Sequence, residues 1–126
     1  MLLQKIIVVE DEEDIQKILQ LCLQQIAGFD VETCSSGYEL LEKIDSFQPH
    51  LILLDVMMEG IDGPTTLFKL RELGNKTPCI FLTARSEPHE IEEFIKMGAI
   101  GVLSKPFDLA QLPEDIKTMW SSVVAV

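Results

Sequence analysis

Four short apolar runs in this chain end on residues suited to phosphoryl chemistry. KIIVV (5–9) leads into Glu10 and Asp11, LILL (51–54) into Asp55, CIFL (79–82) into Thr83, and VLS (102–104) into Lys105-Pro106. Neighbouring acids such as Glu10 and Asp11 can turn two carboxyl groups toward one cation. Magnesium takes hard oxygen ligands, usually one or two carboxylates with waters and phosphate oxygens. A carboxylate such as Asp55 can itself carry a phosphoryl group as a covalent intermediate. The hydroxyl of Thr83 can meet an incoming phosphoryl oxygen, and the ammonium of Lys105 can neutralise charge developing there. Taken singly, each residue has a plainer reading. The run EDEED (10–14) also suits a helix N-terminus, where the dipole favours acids. Asp55 also reads as a strand-end acid or cap, Thr83 as a turn residue, and Lys105 as a surface lysine. The conjunction carries the argument, because acids, Asp, Thr and Lys close successive runs in order.

Those residues converge only if the runs are parallel strands. A short apolar run stopping at a polar cluster reads as a buried strand that delivers side chains at its carboxyl end. Strands are predicted at 5–9, 29–34, 51–54, 78–82 and 100–104. Helices are predicted at 13–26, 37–47, 64–73, 88–97 and 112–122. The first helix carries Ile15, Ile18, Leu19, Cys22 and Ile26 at helical spacing, with Asp14 as candidate N-cap and Gly28 as stop signal. The second starts after Ser36-Gly37. Alternating β and α elements with near-continuous apolar strands predict a parallel sheet covered on both faces. Ligands of such open sheets sit outside the carboxyl ends of the strands. All the candidate residues then lie along one edge.

Length and composition bound the answer. A chain of 126 residues, 47% of them apolar, holds one domain with one core. No apolar run reaches the roughly 18–20 residues that a membrane helix needs. The N-terminus lacks the pattern of a signal peptide, so the expected location is the cytoplasm. A net charge of −11 with scattered Lys and Arg argues against direct nucleic-acid binding and for a site that attracts cations. Cys22, Cys34 and Cys79 are odd in number and widely spaced, and no His pair accompanies them. They read as reduced, buried thiols rather than as a disulfide framework or a zinc site.

The motifs IIVVEDEEDI, PHLILLDVMMEGIDG, PCIFLTA and GAIGVLSKPF resemble those of the receiver domain of bacterial response regulators. The resemblance covers nearly the whole chain and implies one receiver domain over residues 1–126. It implies a flavodoxin-like, doubly wound (βα)5 fold with five parallel strands in the order 2-1-3-4-5. By similarity, Asp11 is the main metal-binding acid with Glu10 beside it. Asp55 is the phosphoacceptor and a metal ligand, and the backbone carbonyl of Met57 is a further ligand. Thr83 is the switch hydroxyl. Lys105 is the phosphate-binding ammonium, joined to Pro106 by a cis peptide. The implied cofactor is Mg2+ or Mn2+, and the implied donor is a histidine kinase or a histidine phosphotransfer protein. Two positions depart from the family pattern. Glu59 stands where Pro is frequent, and reads either as a solvent-facing loop acid or as an extra carboxylate near the site. Val102 stands where an aromatic is frequent, three residues before the Lys.

The expected function is that of a stand-alone phospho-acceptor signalling protein. It catalyses only its own phosphotransfer and dephosphorylation. Its output is binding to a further protein, as a monomer or as a phosphorylation-dependent dimer. A receiver fragment of a larger regulator fits the same residues, with SSVVAV (121–126) as the start of a linker. A small magnesium-dependent aspartyl-phosphate phosphatase is the enzymatic rival. That class uses a second Asp two residues after the nucleophile, where this chain has Met57. A flavin-binding electron carrier on the same fold is disfavoured, because EDEED would repel the flavin phosphate.

Overall fold

In the computed structural model, which describes residues 2–124, strands and helices alternate along the chain. They are β1 (Lys5–Val9), α1 (Glu13–Gln20), β2 (Asp30–Cys34), α2 (Gly37–Phe47), β3 (Leu51–Asp55), α3 (Gly63–Glu72), β4 (Cys79–Thr83), α4 (Pro88–Lys96), β5 (Gly101–Ser104) and α5 (Leu112–Val123). The five strands form one parallel sheet in the order β2-β1-β3-β4-β5. The last two residues of the SSVVAV tail lie outside the described residues.

The central strands are apolar throughout because both of their faces are covered. Ile6 and Val8 of β1 pack with Leu19, Leu23, Ile116 and Trp120, on the face that α1 and α5 cover. Ile7 and Val9 pack with Leu40, Ile44, Leu67, Leu70 and Phe94, on the face that α2, α3 and α4 cover. A parallel strand cannot turn back by a hairpin, so each crossover is a helix. Cys22, Cys34 and Cys79 are free and buried in these layers. Burial pushes the Cys34 and Cys79 thiols up to about 12.

Local signals set most helix starts. The Ser36 hydroxyl accepts from the Glu39 N–H at 3.1 Å, and the Asp62 carboxylate accepts from the Thr65 N–H at 2.8 Å. Glu87 and Glu90 form a reciprocal capping box before α4. Two expectations about the first helix are corrected. Its N-cap is Glu12 rather than Asp14, because the Glu12 N–H turns back to the Glu10 carboxylate at 3.2 Å and helical bonding begins earlier. The predicted single helix over 13–26 is α-helical only to Gln20 and π-helical over Leu21–Ile26. The wider i→i+5 turn rotates the later side chains. Leu23 is buried in place of Ile26, which is 77% exposed, and Ile18 is also left largely outside. Gly28 does end the segment, at a φ of 83° that favours glycine.

One close approach ties the fold to the carboxyl edge. Gly63 begins α3, and its N–H donates to the Val56 carbonyl at 2.9 Å. A methyl group on Gly63 would collide with the Asp55 carbonyl oxygen and press on Val56 Cα at 3.0 Å. Both obstacles are backbone, so neither can rotate aside. Gly63→Ala is therefore expected to lower the unfolding free energy by about 1–3 kcal/mol. Urea denaturation checks this; a wild-type midpoint would show that the turn after β3 moves freely.

Candidate functional site

Parallel pairing sets the ends of β1, β3, β4 and β5 side by side. Val9 is level with Leu54, Asp55 with Leu82, and Thr83 with Ser104. The residues that follow these positions therefore emerge along one edge. Carboxylate oxygens of Glu10, Asp11 and Asp55 lie within 4.8 Å of one another. Glu10 and Asp55 are buried, while Asp11 is exposed. Lys105 enters this group from beyond β5. Its ammonium lies 2.7 Å from Glu10 Oε1 and 3.3 Å from Asp55 Oδ1.

Lys105 pairs with both Asp55 and Glu10, and the shorter contact is to Glu10. Taken singly Lys105 reads as a surface lysine, and in the structure it is partly buried. Its side chain is only 18% exposed, because two buried carboxylates draw the ammonium inward. Burial alone would lower the Lys105 pKa, but bonding to Glu10 and attraction by Asp55 and Glu10 more than offset this and raise it. Lys105 is thus held charged. Glu10 behaves oppositely. Burial, followed by hydrogen bonding and repulsion from Asp55, pushes its carboxyl up to about 7, although Lys105 and the Glu12 N–H pull the other way.

Backbone donors hold the remaining groups. The Glu12 N–H donates to Glu10 Oε2 at 3.2 Å, the Glu59 N–H to Asp11 Oδ2 at 3.2 Å, and the Met57 N–H to Asp55 Oδ1 at 3.4 Å. The Glu59 side chain itself is exposed, in line with a loop acid, yet its main chain supports Asp11. Thr83 is buried at the end of β4, and its hydroxyl accepts from the Arg85 N–H at 2.9 Å. The Lys105 N–H donates to the Thr83 carbonyl at 2.8 Å, which ties the fourth strand end to the fifth. The Lys105-Pro106 peptide is cis. Met57 lies on the loop after Asp55 with its side chain 68% exposed.

Sequence reasoning missed several supporting groups. The backbone donors of Glu12, Met57, Glu59 and Arg85 carry no side-chain signature. The amide of Gln16, which reaches the ends of β1 and β2, looked like one polar helix residue among many. The carboxylates together form an oxygen-only donor set, which suits a hard divalent cation and not a soft one. With a fixed ammonium alongside, the edge can bind a cation and a phosphoryl group at once.

Comparison with known proteins agrees with this geometry. The chain is 36% identical over 116 residues to the alkaline phosphatase synthesis transcriptional regulatory protein PhoP of Bacillus subtilis, covering 92% of this chain and 48% of the relative. It is 36% identical over 117 residues to the CpxR homolog of Haemophilus influenzae, covering 93% of this chain and 50% of that one. The chain thus spans about half the length of these curated relatives. The chemotaxis protein CheY4 of Vibrio cholerae superposes with a TM-score of 0.85 at 29% identity, covering 94% of this chain and 99% of that one. The response regulator TrrA of Thermotoga maritima, solved in complex with Mg(2+)-BeF, superposes with a TM-score of 0.79 at 31% identity over 92% of this chain and 98% of that one. The response regulator receiver domain family matches residues 6–117, and the chain belongs to that family.

Proposed function

We propose that the protein is a phospho-acceptor of a two-component or phosphorelay system and that Asp55 carries the phosphoryl group. The observation that supports this best is the placing of a buried carboxylate, Asp55, between an ammonium at 3.3 Å and two further acids. An oxygen of Asp55 attacks phosphorus in line with the donor's phosphorus–nitrogen bond. That bond breaks, its electron pair stays on the imidazole, and an acyl phosphate forms on Asp55. Lys105 turns from the two carboxylates to the new phosphoryl oxygens. Thr83 exchanges its bond from Arg85 for one to phosphate. Glu10, Asp11, Asp55 and the Met57 carbonyl are the proposed ligands of Mg2+ or Mn2+. When bound, that cation supplies positive charge at the transferring oxygens.

The donor in this reading is a histidine kinase or a histidine phosphotransfer protein. The output is altered binding to another protein, as a monomer or as a phosphorylation-dependent dimer. Residues 1–126 act as one receiver unit, whose only chemistry is its own phosphotransfer and dephosphorylation. No helix among the described residues is long and apolar enough to cross a membrane, in keeping with action in the cytoplasm. The phosphatase reading has no acid at Met57 to protonate a leaving group.

Two experiments test the reading. With magnesium and a small phosphodonor, mass spectrometry is expected to find one added phosphate on the wild type and none on Asp55→Asn. Labelling that persists in the variant would remove Asp55 from the role.

The second concerns pH. The folded chain keeps a proton on Glu10 up to about pH 7, whereas the unfolded chain releases it near 4.5, the ordinary value for an exposed Glu. The folded state therefore binds more protons in that window. The resulting stability is complete below about pH 4.5 and is lost as pH rises through 7. The loss is on the order of 2–3 kcal/mol. In EDTA, urea midpoints should fall from pH 5 to pH 8, and Glu10→Gln should flatten the slope. Magnesium at pH 8 should restore stability, because it binds the native carboxylates and not the dispersed ones. A rising midpoint in EDTA would mean that Glu10 titrates as an ordinary carboxylate.

A further inference from the structure

We infer that Gln16 is a positioning residue for the acidic turn, setting how Asp11 meets the cation. This inference rests on the reading of Glu10, Asp11 and Asp55 as cation ligands. Gln16 stands in α1, and its side-chain amide reaches back over the ends of two strands. Gln16 Nε2 donates to the Glu10 carbonyl at 3.0 Å and to the Cys34 carbonyl at 3.1 Å, with the Ser35 hydroxyl at 3.4 Å. The Cys34 carbonyl also accepts from the Glu10 N–H at 3.0 Å, the rung at which the two strand ends are joined. An amide nitrogen has two hydrogens, and the two carbonyls use both. With carbonyls at that position, only the amine end of the side chain fits, so the neighbours set its orientation.

The bond to the Glu10 carbonyl bears directly on the site. That carbonyl and the Asp11 N–H share one rigid peptide plane. The residues on either side of the plane, Glu10 and Asp11, supply two of the three carboxylates that meet within 4.8 Å. Holding the Glu10 oxygen therefore holds the direction in which the chain presents Asp11. Glu10 has further anchors in Lys105 and the Glu12 N–H. Asp11 is exposed, and its carboxylate accepts from the Glu59 N–H of an exposed loop at 3.2 Å. Of the three acids, Asp11 thus depends most on its backbone for its aim. Magnesium demands near-octahedral geometry, with little tolerance in ligand position. Groups that orient ligands without touching the metal commonly control affinity by about 10–100-fold.

The alternative is that Gln16 merely staples two strand ends. Cation affinity and metal-free stability separate the two roles. Gln16→Met keeps length and bulk but has no donor, and Gln16→Arg keeps N–H donors. Mn2+ binding followed by electron paramagnetic resonance should weaken about tenfold in Gln16→Met and recover most of that loss in Gln16→Arg. Urea midpoints in EDTA should move little in either. An Mn2+ affinity within about twofold of wild type in Gln16→Met, or an equal loss in both variants, overturns the inference. Failure of Gln16→Met to fold does so too, because it assigns Gln16 to the scaffold. Asp11→Ala is the control on the underlying reading. If it binds Mn2+ like the wild type, Asp11 is not a ligand, and the ligand assignment fails before Gln16 is considered.

Discussion

Three carboxylates crowd an edge that holds one ammonium, and the rest of the structure bears that imbalance. At separations near 5 Å a like-charge pair costs on the order of 3 kcal/mol with an effective dielectric of 20. The acids would spread apart on a flexible chain. They cannot do so here, because β1, β3 and β4 are buried on both faces and locked in register. The hydrophobic layers thus hold the acids against their own repulsion. Part of that repulsion is relieved by Lys105, and part by keeping a proton on Glu10 to about pH 7. A divalent cation held by the same acids would relieve the repulsion further.

Lys105 has two claims upon it. Its shorter contact is with Glu10 at 2.7 Å, and its longer one with Asp55 at 3.3 Å. A phosphoryl group on Asp55 adds acceptor oxygens next to the weaker partner. The ammonium can then shift toward phosphate without crossing the site, because it already touches both carboxylates. If Glu10, Asp11 and Asp55 hold the cation as proposed, it would compete with Lys105 for the Glu10 oxygens, the shorter of the two lysine contacts. Metal binding and lysine transfer would then be coupled through Glu10, the most buried of the three acids.

What the sequence disclosed follows from what is local. Strands buried on both faces leave unbroken apolar runs, so β1, β3 and β4 stood out with the acids and hydroxyl that follow them. The start of α2 near Ser36-Gly37 was legible too, whereas the cap at Asp62 was not named and the one proposed at Asp14 lies at Glu12. The first helix was legible only in part. Its α-to-π change alters phase without any Gly or Pro to announce it, so regular helical spacing points to Ile26 and passes over the buried Leu23. Glu12 starts the helix by main-chain bonding, which no side-chain rule for caps detects. At the site, the chemistry-bearing side chains were readable because each ends a strand. The donors that hold them were not, because backbone N–H groups look alike in any sequence. The close contact of Gly63 with the Asp55 carbonyl became visible only with the crossover in place.

The same two-layer construction constrains how a change at the edge can spread. Val102 packs into the layer with Phe81 and Phe94, on the α2–α4 face. Phe107 packs into the opposite layer with α1 and α5. Phe107 and Val102 nevertheless line one cavity at the open edge of β5, with Leu112 and Met119. Thr83 is linked to the loop that follows through the Arg85 N–H, and that loop runs within a few residues into the capping box of α4. Phe81 and Phe94 then meet edge to face at 5.2 Å, joining β4 to α4. If the Thr83 hydroxyl leaves Arg85 for phosphate, the Arg85 N–H loses its partner and the loop must rearrange to satisfy it. The start of α4 lies nearest that disturbance. β5 is joined to β4 along the whole ladder and by the Lys105 N–H bond to the Thr83 carbonyl, backbone contacts that a rotating hydroxyl does not break. In the proposed reading, the route out of the site would therefore run first through the β4–α4 loop, which Thr83 holds by its bond from Arg85.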